Sequence, residues 1–330
     1  MTTRVAAIDC GTNSIRLLIA DIRTTADDPE RVRADSGPAR QAAPLADVRR
    51  EMRIVRLGEG VDRTGRLSEA ALGRTVVALR EYAGMIAAAG PMAVRMVATS
   101  ATRDAANARD FTGQVRDILG VEPEVISGEE EAWLSFTGAT RELAGTGLAA
   151  DCGPPYLVTD IGGGSTEFIL GGPDGVAGER SVNIGCVRLT ERHLHGDPPA
   201  RAEILAATAD IEAALDQVAD AIDVTKARTL AGLAGSVTTV AAIALGLAAY
   251  DSERIHHARI SAARVHEIAA ELLAMTRADR AAIAVMHPGR VDVIGAGALI
   301  LDRIMARFGF AEVLVSEHDI LDGIAWSLVA

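Results

Sequence analysis

The sequence predicts an α/β protein made of two copies of one domain type, each with a mixed sheet, and three observations carry that prediction. Strand-like apolar runs alternate with helix-length amphipathic stretches along the whole chain. One pattern also occurs twice: an apolar strand ending in an aspartate, a glycine-bearing hydroxylated turn, then a second apolar strand. It stands around Asp9-Cys10-Gly11-Thr12-Asn13-Ser14 and again around Asp160-Ile161-Gly162-Gly163-Gly164-Ser165-Thr166-Glu167. So long an interval is no solenoid period and points to a duplicated domain. Finally, 330 residues suffice for two domains of ordinary size and a substantial core.

In chain order, residues 5–9 and 15–21 read as the strands of the first hairpin. Residues 24–47 hold Pro29, Pro38 and Pro44 with few large apolar side chains, and read as a mobile excursion. A third strand is expected at 52–57. Ser68 caps a long helix with apolar positions Leu72, Val76, Leu79, Ala83 and Ile86, stopped at Gly90-Pro91. A strand at 94–97 opens into Ala98-Thr99-Ser100-Ala101-Thr102-Arg103-Asp104, a helix ends at Gly120, 124–126 is a strand, and Ser127 caps the next helix. After Pro154-Pro155, strands are expected at 156–160, 166–170 and 176–184, and Gly185-Cys186 leads into a helix. A long amphipathic helix at 200–222 precedes a strand at 229–233 and a helix at 235–247. Helices near 262–274, 277–285 and 290–307, a strand at 313–316 and a helix from about 319 complete the order.

Composition narrows the function classes. The chain is 49% hydrophobic and 24% charged, with only 3% aromatics, so stacking platforms for single-stranded nucleic acid are not expected. Its net charge of −12 has the wrong sign for a non-specific nucleic-acid binder. A polyanionic substrate must therefore be met by a local set of donors or by a divalent metal. Cys10, Cys152 and Cys186 are widely spaced and suggest neither a disulfide framework nor a zinc site. The start of the chain does not read as a signal peptide, and the most apolar window, near 237–249, is too short to span a bilayer. A reducing cytoplasm is expected, with no membrane partner.

Five segments carry the chemistry. In Asp160 to Glu167, consecutive glycines suit close approach of a ligand to the main chain or a positive φ, and exposed N–H groups suit an oxyanion. Asp160 and Glu167 offer the hard oxygens that magnesium prefers. A glycine-rich hairpin turn with charged ends would have the same composition. Ser127-Gly128-Glu129-Glu130-Glu131 packs three acids into one helix start; a capping box accounts for Glu130 and less clearly for Glu129, but not for Glu131. Glu131 can instead project into a cleft and deprotonate water, or belong to a solvated acidic face. Arg103 offers a planar cation that can pair with phosphate, or an ion pair with Asp104 or Asp110. Asn13, Ser14 and Arg16 occupy the first turn, and Gly235-Ser236 opens a helix whose free N–H groups form an anion site. The seven histidines form no ligand set and read as surface or packing residues. There is neither a Gly-x-Ser-x-Gly elbow nor a Walker-type loop.

Taken with Ile126 to Ala132, Ile184-Gly185-Cys186-Val187-Arg188-Leu189 and Pro288-Gly289-Arg290-Val291-Asp292-Val293-Ile294, these loops resemble the exopolyphosphatase and guanosine-pentaphosphate phosphatase (Ppx/GppA) family, within the actin, sugar kinase and Hsp70 superfold. The resemblance implies two ribonuclease-H-like domains, 1–127 and 128–318, with the helix from about 319 packing back on the first and an active site in the cleft between them. It implies Glu131 as catalytic base, Asp160 and Glu167 as metal-site carboxylates with Asp9 as a further contact, and magnesium or manganese as the ion. Asn13, Ser14, Arg103, Gly162, Gly163, Gly164, Ser165, Cys186, Gly235 and Ser236 would hold phosphate, Cys186 through its backbone and packing. Arg16 and Arg290 are candidates for substrate specificity. The expected reaction is attack of water on the terminal phosphoanhydride of inorganic polyphosphate, in short chains because longer relatives continue past residue 330; the alternative substrate is guanosine-5'-triphosphate,3'-diphosphate (pppGpp) of the stringent response. A homodimer is expected. A kinase or a non-catalytic nucleotide-binding protein of the same superfold is the reading from another class.

Overall fold

The computed structural model describes residues 1–23, 45–143 and 152–329, and within them the chain forms two mixed sheets. In the first, β1 (Thr2–Cys10), β2 (Ser14–Arg23) and β3 (Leu45–Ile54) are antiparallel neighbours, while β4 (Ala93–Ala98) runs parallel to β1 and β5 (Glu124–Val125) parallel to β4. The order is β3-β2-β1-β4-β5. In the second, β6 (Tyr156–Ile161), β7 (Thr166–Gly172) and β8 (Gly175–Val182) are antiparallel, β9 (Thr229–Leu233) is parallel to β6, and β10 (Arg259–Ser261) and β11 (Glu312–Val315) complete the order β10-β11-β9-β6-β7-β8. Without the edge strand β10 the two sheets have the same topology, so the repeated sequence pattern is a repeated ribonuclease-H-like domain.

Helices α1 (Glu69–Ala89) and α2 (Ala108–Leu119) follow β3 and β4, and α3 (Gly128–Leu143) leaves β5. The second half adds α4 (Cys186–His193), α5 (Arg201–Ala221), α6 (Ala234–Ala244), α7 (Ala262–Ala274), α8 (Ile294–Phe308) and α9 (Ile320–Ser327). The α1 boundaries follow local chemistry. Ser68 Oγ accepts the Ala71 N–H at 3.2 Å, and Gly90 stops the helix with φ 58°.

Central strands are apolar on both faces because helices cover both. From β1, Ala6, Ile8 and Cys10 join Leu79, Tyr82, Phe111 and Val115 of α1 and α2 in one core, while Val5 and Ala7 join Ile320, Leu321, Ile324 and Trp326 of α9 in another. In β6, Leu157 and Ile161 face the large core with α5 and α8, whereas Tyr156 and Val158 face Ala132, Phe136 and Ala139 of α3. Asp160, two residues beyond Val158, continues the face turned to α3 by strand alternation.

Several sequence expectations are corrected. The third strand is Leu45–Ile54, not 52–57: β2 pairs with it from Ile22↔Leu45 to Ser14↔Ile54, and its charged run marks an exposed sheet edge. Residues 45–47 thus belong to β3, and the rest of the expected excursion, 24–44, lies outside the described residues. The helix expected at 277–285 is the single turn Arg277–Ala281, and the one expected from 290 starts at Ile294 after the short turn Pro288–Arg290. Three-residue β10 carries too little periodicity to be read from sequence.

The last helix follows the second sheet in sequence but packs on the first. Burial of side chains such as Ile320, Leu321 and Ile324 supplies about 1.5–3 kcal/mol each. It crosses α3 so closely that a Cβ on Gly138 would lie 1.9 Å from the Asp319 carbonyl oxygen, and one on Gly323 2.0 Å from that of Leu134. Both obstacles are main chain and cannot rotate away. Gly138→Ala is therefore expected to lower unfolding free energy by about 2 kcal/mol or more in denaturant titration, although alanine is the better helix former by about 1 kcal/mol. Unchanged or raised stability would show that the helices do not cross this closely.

Candidate active site

The two hairpin turns meet at a cavity of about 100 Å³. Its wall includes Asp9, Asn13, Ser14 and Arg16 from the first hairpin, Glu131 from α3, Asp160, Gly162, Gly163 and Ser165 from the second, and Cys186, Gly235, Ser236 and Arg290 from the loops behind it. Residues from widely separated parts of the chain are thereby gathered at one place. Arg103, Gly164 and Glu167 are not on this wall.

Three carboxylates dominate the electrostatics. Asp160 and Glu167 are register partners across β6 and β7, so their side chains leave the same face of the sheet. Glu131 comes from the first turn of α3 above that face. Burial is the main cause that raises the Glu131 carboxyl to about 7, with Arg103 pulling it down and Asp160 adding to the rise. Asp160 is raised to about 6, first by burial and then by Asp319, against a hydrogen bond from Ser135. Glu167 is raised well above the ordinary range by burial and by the charges of Glu131 and Asp160. One Glu167 oxygen, Oε1, accepts from Ser181 Oγ at 2.8 Å; the other, Oε2, is buried without a partner, as is Asn13 Oδ1.

Arg103, expected to hold phosphate, is engaged behind the cavity wall in this structure. Its Nη1 donates to Glu131 Oε2 at 2.8 Å and to the Ile126 carbonyl at 2.9 Å, so it stands behind the expected base and fixes it. Thr99 and Ser100 of the same loop line the wall instead. The glycines serve packing between the halves as well as the cavity wall. None of Gly162, Gly163 and Gly164 has a positive φ; the room left by Gly163 and Gly164 is taken by the other half of the molecule, while Gly162 and Gly163 still line the cavity. A Cβ on Gly163 would meet Thr12 Cβ at 2.9 Å, and one on Gly164 the Ser100 Oγ at 2.4 Å. Gly164 thus serves the junction between the two halves, where Arg188 ties its carbonyl (2.6 Å) to Asp62 and Asp104.

Cys186 lines the cavity, but its backbone N–H is not offered there: it donates to the Gly162 carbonyl at 3.0 Å, and burial pushes the thiol up. Arg16 is held by Asp9, at 2.7 Å from Nη2 to Oδ2, and by Asp319. Burial still raises the Asp9 carboxyl. At the third loop, Ala234 adopts φ 67°, a conformation a residue with a Cβ seldom takes and one that clusters at functional sites. Arg290 lies over Gly235 and donates to Thr239 Oγ1 at 2.9 Å.

Of the acids at the start of α3, the capping reading explains two. Ser127 Oγ accepts the Glu130 N–H at 3.2 Å, Glu130 pairs with Arg95, and hydrogen bonds to a backbone N–H and to Ser127 lower the Glu129 carboxyl. Only Glu131 turns inward. Sequence reasoning missed Ser135, whose Oγ donates to Asp160 Oδ2 at 2.7 Å, and Ser181, which does the same for Glu167. Ser135 had a readable signal: it stands four residues after Glu131, a hydroxyl between Leu134 and Phe136 on an otherwise apolar helix face.

With this geometry in hand, comparison with known proteins gives one result. Exopolyphosphatase 2 of Mycobacterium tuberculosis (strain CDC 1551 / Oshkosh) is 48% identical over 335 residues, covering 99% of this chain and 98% of that protein. A guanosine-5'-triphosphate,3'-diphosphate pyrophosphatase of Aeromonas salmonicida (strain A449) is 29% identical over 98% of this chain, which spans 59% of that longer protein. The solved structure of an exopolyphosphatase-like protein superposes with a TM-score of 0.87 at 42% identity, covering 98% of each chain. Residues 37–330 match the model of the Ppx/GppA phosphatase family, and the chain belongs to that family.

Proposed function

We propose that this chain is an exopolyphosphatase, a phosphoanhydride hydrolase that passes the terminal phosphoryl group of inorganic polyphosphate to water. The observation that carries the proposal is Glu131: a carboxyl raised to about 7, on the wall of a cavity between two glycine-bearing turns, beside Asp160. A base titrating near neutrality combines the ionised form with useful basicity. Glu131 orients the water and takes its proton, Arg103 holds Glu131 in place, and Ser135 fixes Asp160. The wall groups Asn13, Ser14, Ser165 and Ser236 position the phosphate oxygens, in keeping with phosphoryl transfer by positioning and electrostatics.

The donor set suits magnesium, with manganese as a substitute. Asp160 and Glu167 are hard oxygen donors on one face, the unpartnered Oε2 of Glu167 needs a cation or a proton, and three clustered like charges disfavour leaving the site without a counter-ion. Among the described residues no group of three or more His, Cys, Asp or Glu side chains is arranged to hold a metal, but magnesium ordinarily takes one or two carboxylates and completes its shell with phosphate oxygens and water. Asp9 is the less suited donor, because Arg16 holds its Oδ2 from both Nε and Nη2. Bound there, the ion would neutralise charge on the phosphate oxygens.

We place the activity in the cytoplasm, on a small polyanion rather than on nucleic acid or membrane, in a homodimer. The acidic charge and the buried free thiols support the first two points, and among the described residues no helix is long and apolar enough to cross a membrane. We draw the domains as 1–127 with the helix from 319, and 128–318. Burial of α9 against β1 and β2 supports that division.

Phosphate release from tripolyphosphate, long-chain polyphosphate, pppGpp and ATP, measured side by side, tests the proposal. Release from polyphosphate with magnesium, abolished by EDTA, is expected; no release from any of the four would end the hydrolase reading, and release from pppGpp alone would transfer the assignment to the alternative. Glu131→Ala is expected to lower turnover by about 10²- to 10⁴-fold with binding largely retained. Turnover at the wild-type level in that variant removes Glu131 from the mechanism. The pH dependence of kcat/KM should rise along an acidic limb near 7 as the carboxyl cluster ionises. Because Arg103 lowers the Glu131 pKa, Arg103→Met should move that limb to higher pH; a limb that stays or moves down shows that Arg103 does not act on the base.

A further inference from the structure

Beyond the phosphate cavity the cleft widens into a compartment of about 470 Å³ that shares Arg16, Met52, Ala234, Gly235 and Arg290 with it. It is the direct continuation of the site, where the remainder of a chain held by its terminal phosphate would lie. A surface built to grip a long polyanion presents cations free to meet it. Here the arginines are already neutralised. Arg16 is bonded to Asp9 and Asp319, and Arg50 to Asp47 at 2.7 Å and Asp322 at 2.5 Å, so these two guanidinium groups face four carboxylates. Among the described residues Arg290 has no carboxylate partner within ion-pair distance; Thr239 takes one of its N–H groups.

Glu317 offsets that remaining cation. It lines the compartment from the segment joining β11 to α9, half-buried, and its Oε1 accepts from Tyr250 Oη at 2.6 Å. A bond from a neutral hydroxyl orients the carboxylate without neutralising it, so its charge acts on Arg290 and on whatever passes it. No lysine or arginine among the described residues pairs with it. Of the residues lining the compartment, Arg16, Arg50 and Arg290 stand against Glu51, Glu317 and Asp319, so a polyphosphate tail would meet no excess of positive charge there.

Resting on the exopolyphosphatase reading above, we infer that Glu317 is a specificity-determining residue that sets chain length: its carboxylate repels the phosphates of a long chain beyond the cavity, and so favours short substrates. One unit charge removed at a separation of about 7 Å, in the intermediate dielectric of a cleft, corresponds to roughly 3- to 30-fold in rate.

The test is the ratio of kcat/KM for long-chain polyphosphate to kcat/KM for tripolyphosphate, measured at mildly alkaline pH so that the carboxyl is ionised. Glu317→Gln keeps size and the bond from Tyr250 and removes the charge, and it is expected to raise the ratio roughly 3- to 30-fold. In the unmutated protein the ratio should rise as salt is added, because screening weakens repulsion; a cationic exit would give the opposite slope. A merely structural role for Glu317 would lower both rates together and leave the ratio unmoved. A ratio unchanged by Glu317→Gln in a variant with wild-type melting behaviour overturns the inference, as does a ratio that falls with salt in the unmutated protein. If the unmutated protein cleaves neither polyphosphate, the exopolyphosphatase reading fails, a result distinct from an unmoved ratio.

Discussion

Three carboxylates that repel one another are held side by side out of water, and most of the architecture serves to keep them there. Asp160 and Glu167 come from neighbouring strands, Glu131 from the helix laid over them, and each has an orienting donor: Ser135, Ser181 and Arg103 respectively. The cost is visible in their titration. Moving Glu131 from its ordinary value to about 7 corresponds to destabilising its ionised form by on the order of 3 kcal/mol. The sign matters: a carboxyl raised on folding stabilises the fold at low pH and withdraws that support as pH rises through 6 to 7, the values of Asp160 and Glu131. Near neutrality the site is therefore held in a state that protons or a divalent cation relieve, which makes it responsive to a ligand carrying that cation.

Comparing the two copies of the domain shows how the site became asymmetric. In both hairpins the last aspartate of the first strand faces a residue seven positions later: Asp9 faces Arg16, and Asp160 faces Glu167. In the first copy the pair is an ion pair, extended through Arg16 to Asp319. In the second it is two like charges, which are unfavourable directly across a sheet unless something lies between them. The same backbone thus makes one self-satisfied turn and one unsatisfied turn, with the cavity between them. This difference also sets Asp9, whose Oδ2 is taken by Arg16, apart from Asp160 and Glu167.

The hairpins, the long helices and the gathering of loops were legible in the sequence because each rests on local rules: period-two apolar strands, Ser68 at a helix start, glycine at its end, acids at the start of α3. What escaped was set by tertiary packing. Charged β3 looks like an excursion because it is an edge strand whose pairing with β2 overrides composition. The run Gly162-Gly163-Gly164 suggested ligand approach, whereas two of its three missing side chains make room for Thr12 and Ser100 of the other half. Arg103 was read as facing substrate because arginine beside hydroxyls suits phosphate, and nothing local says that Glu131, twenty-eight residues on, would claim it. Capping leaves Glu131 unexplained, and it is the resemblance to the family that implies its role as base.

One helix pair connects these features. Glu131 and Ser135 lie a turn apart on α3, so the proposed base and the donor that fixes Asp160 move as one body. That body is locked by main-chain contact at Gly138 and Gly323 to α9, whose N-cap Asp319 takes Arg16, the partner of Asp9. Asp322, one turn further along α9, would be raised by burial, but Arg50 and His318 together hold it well below the ordinary carboxylate range. The charged groups of the first sheet and those of the second are thus joined through two helices that cannot slide past each other without a steric clash. A displacement of α9 large enough to free Arg16 would also carry α3, and with it Glu131, away from Asp160. In this arrangement the catalytic geometry depends on the seam between the domains as much as on the residues that line the cavity.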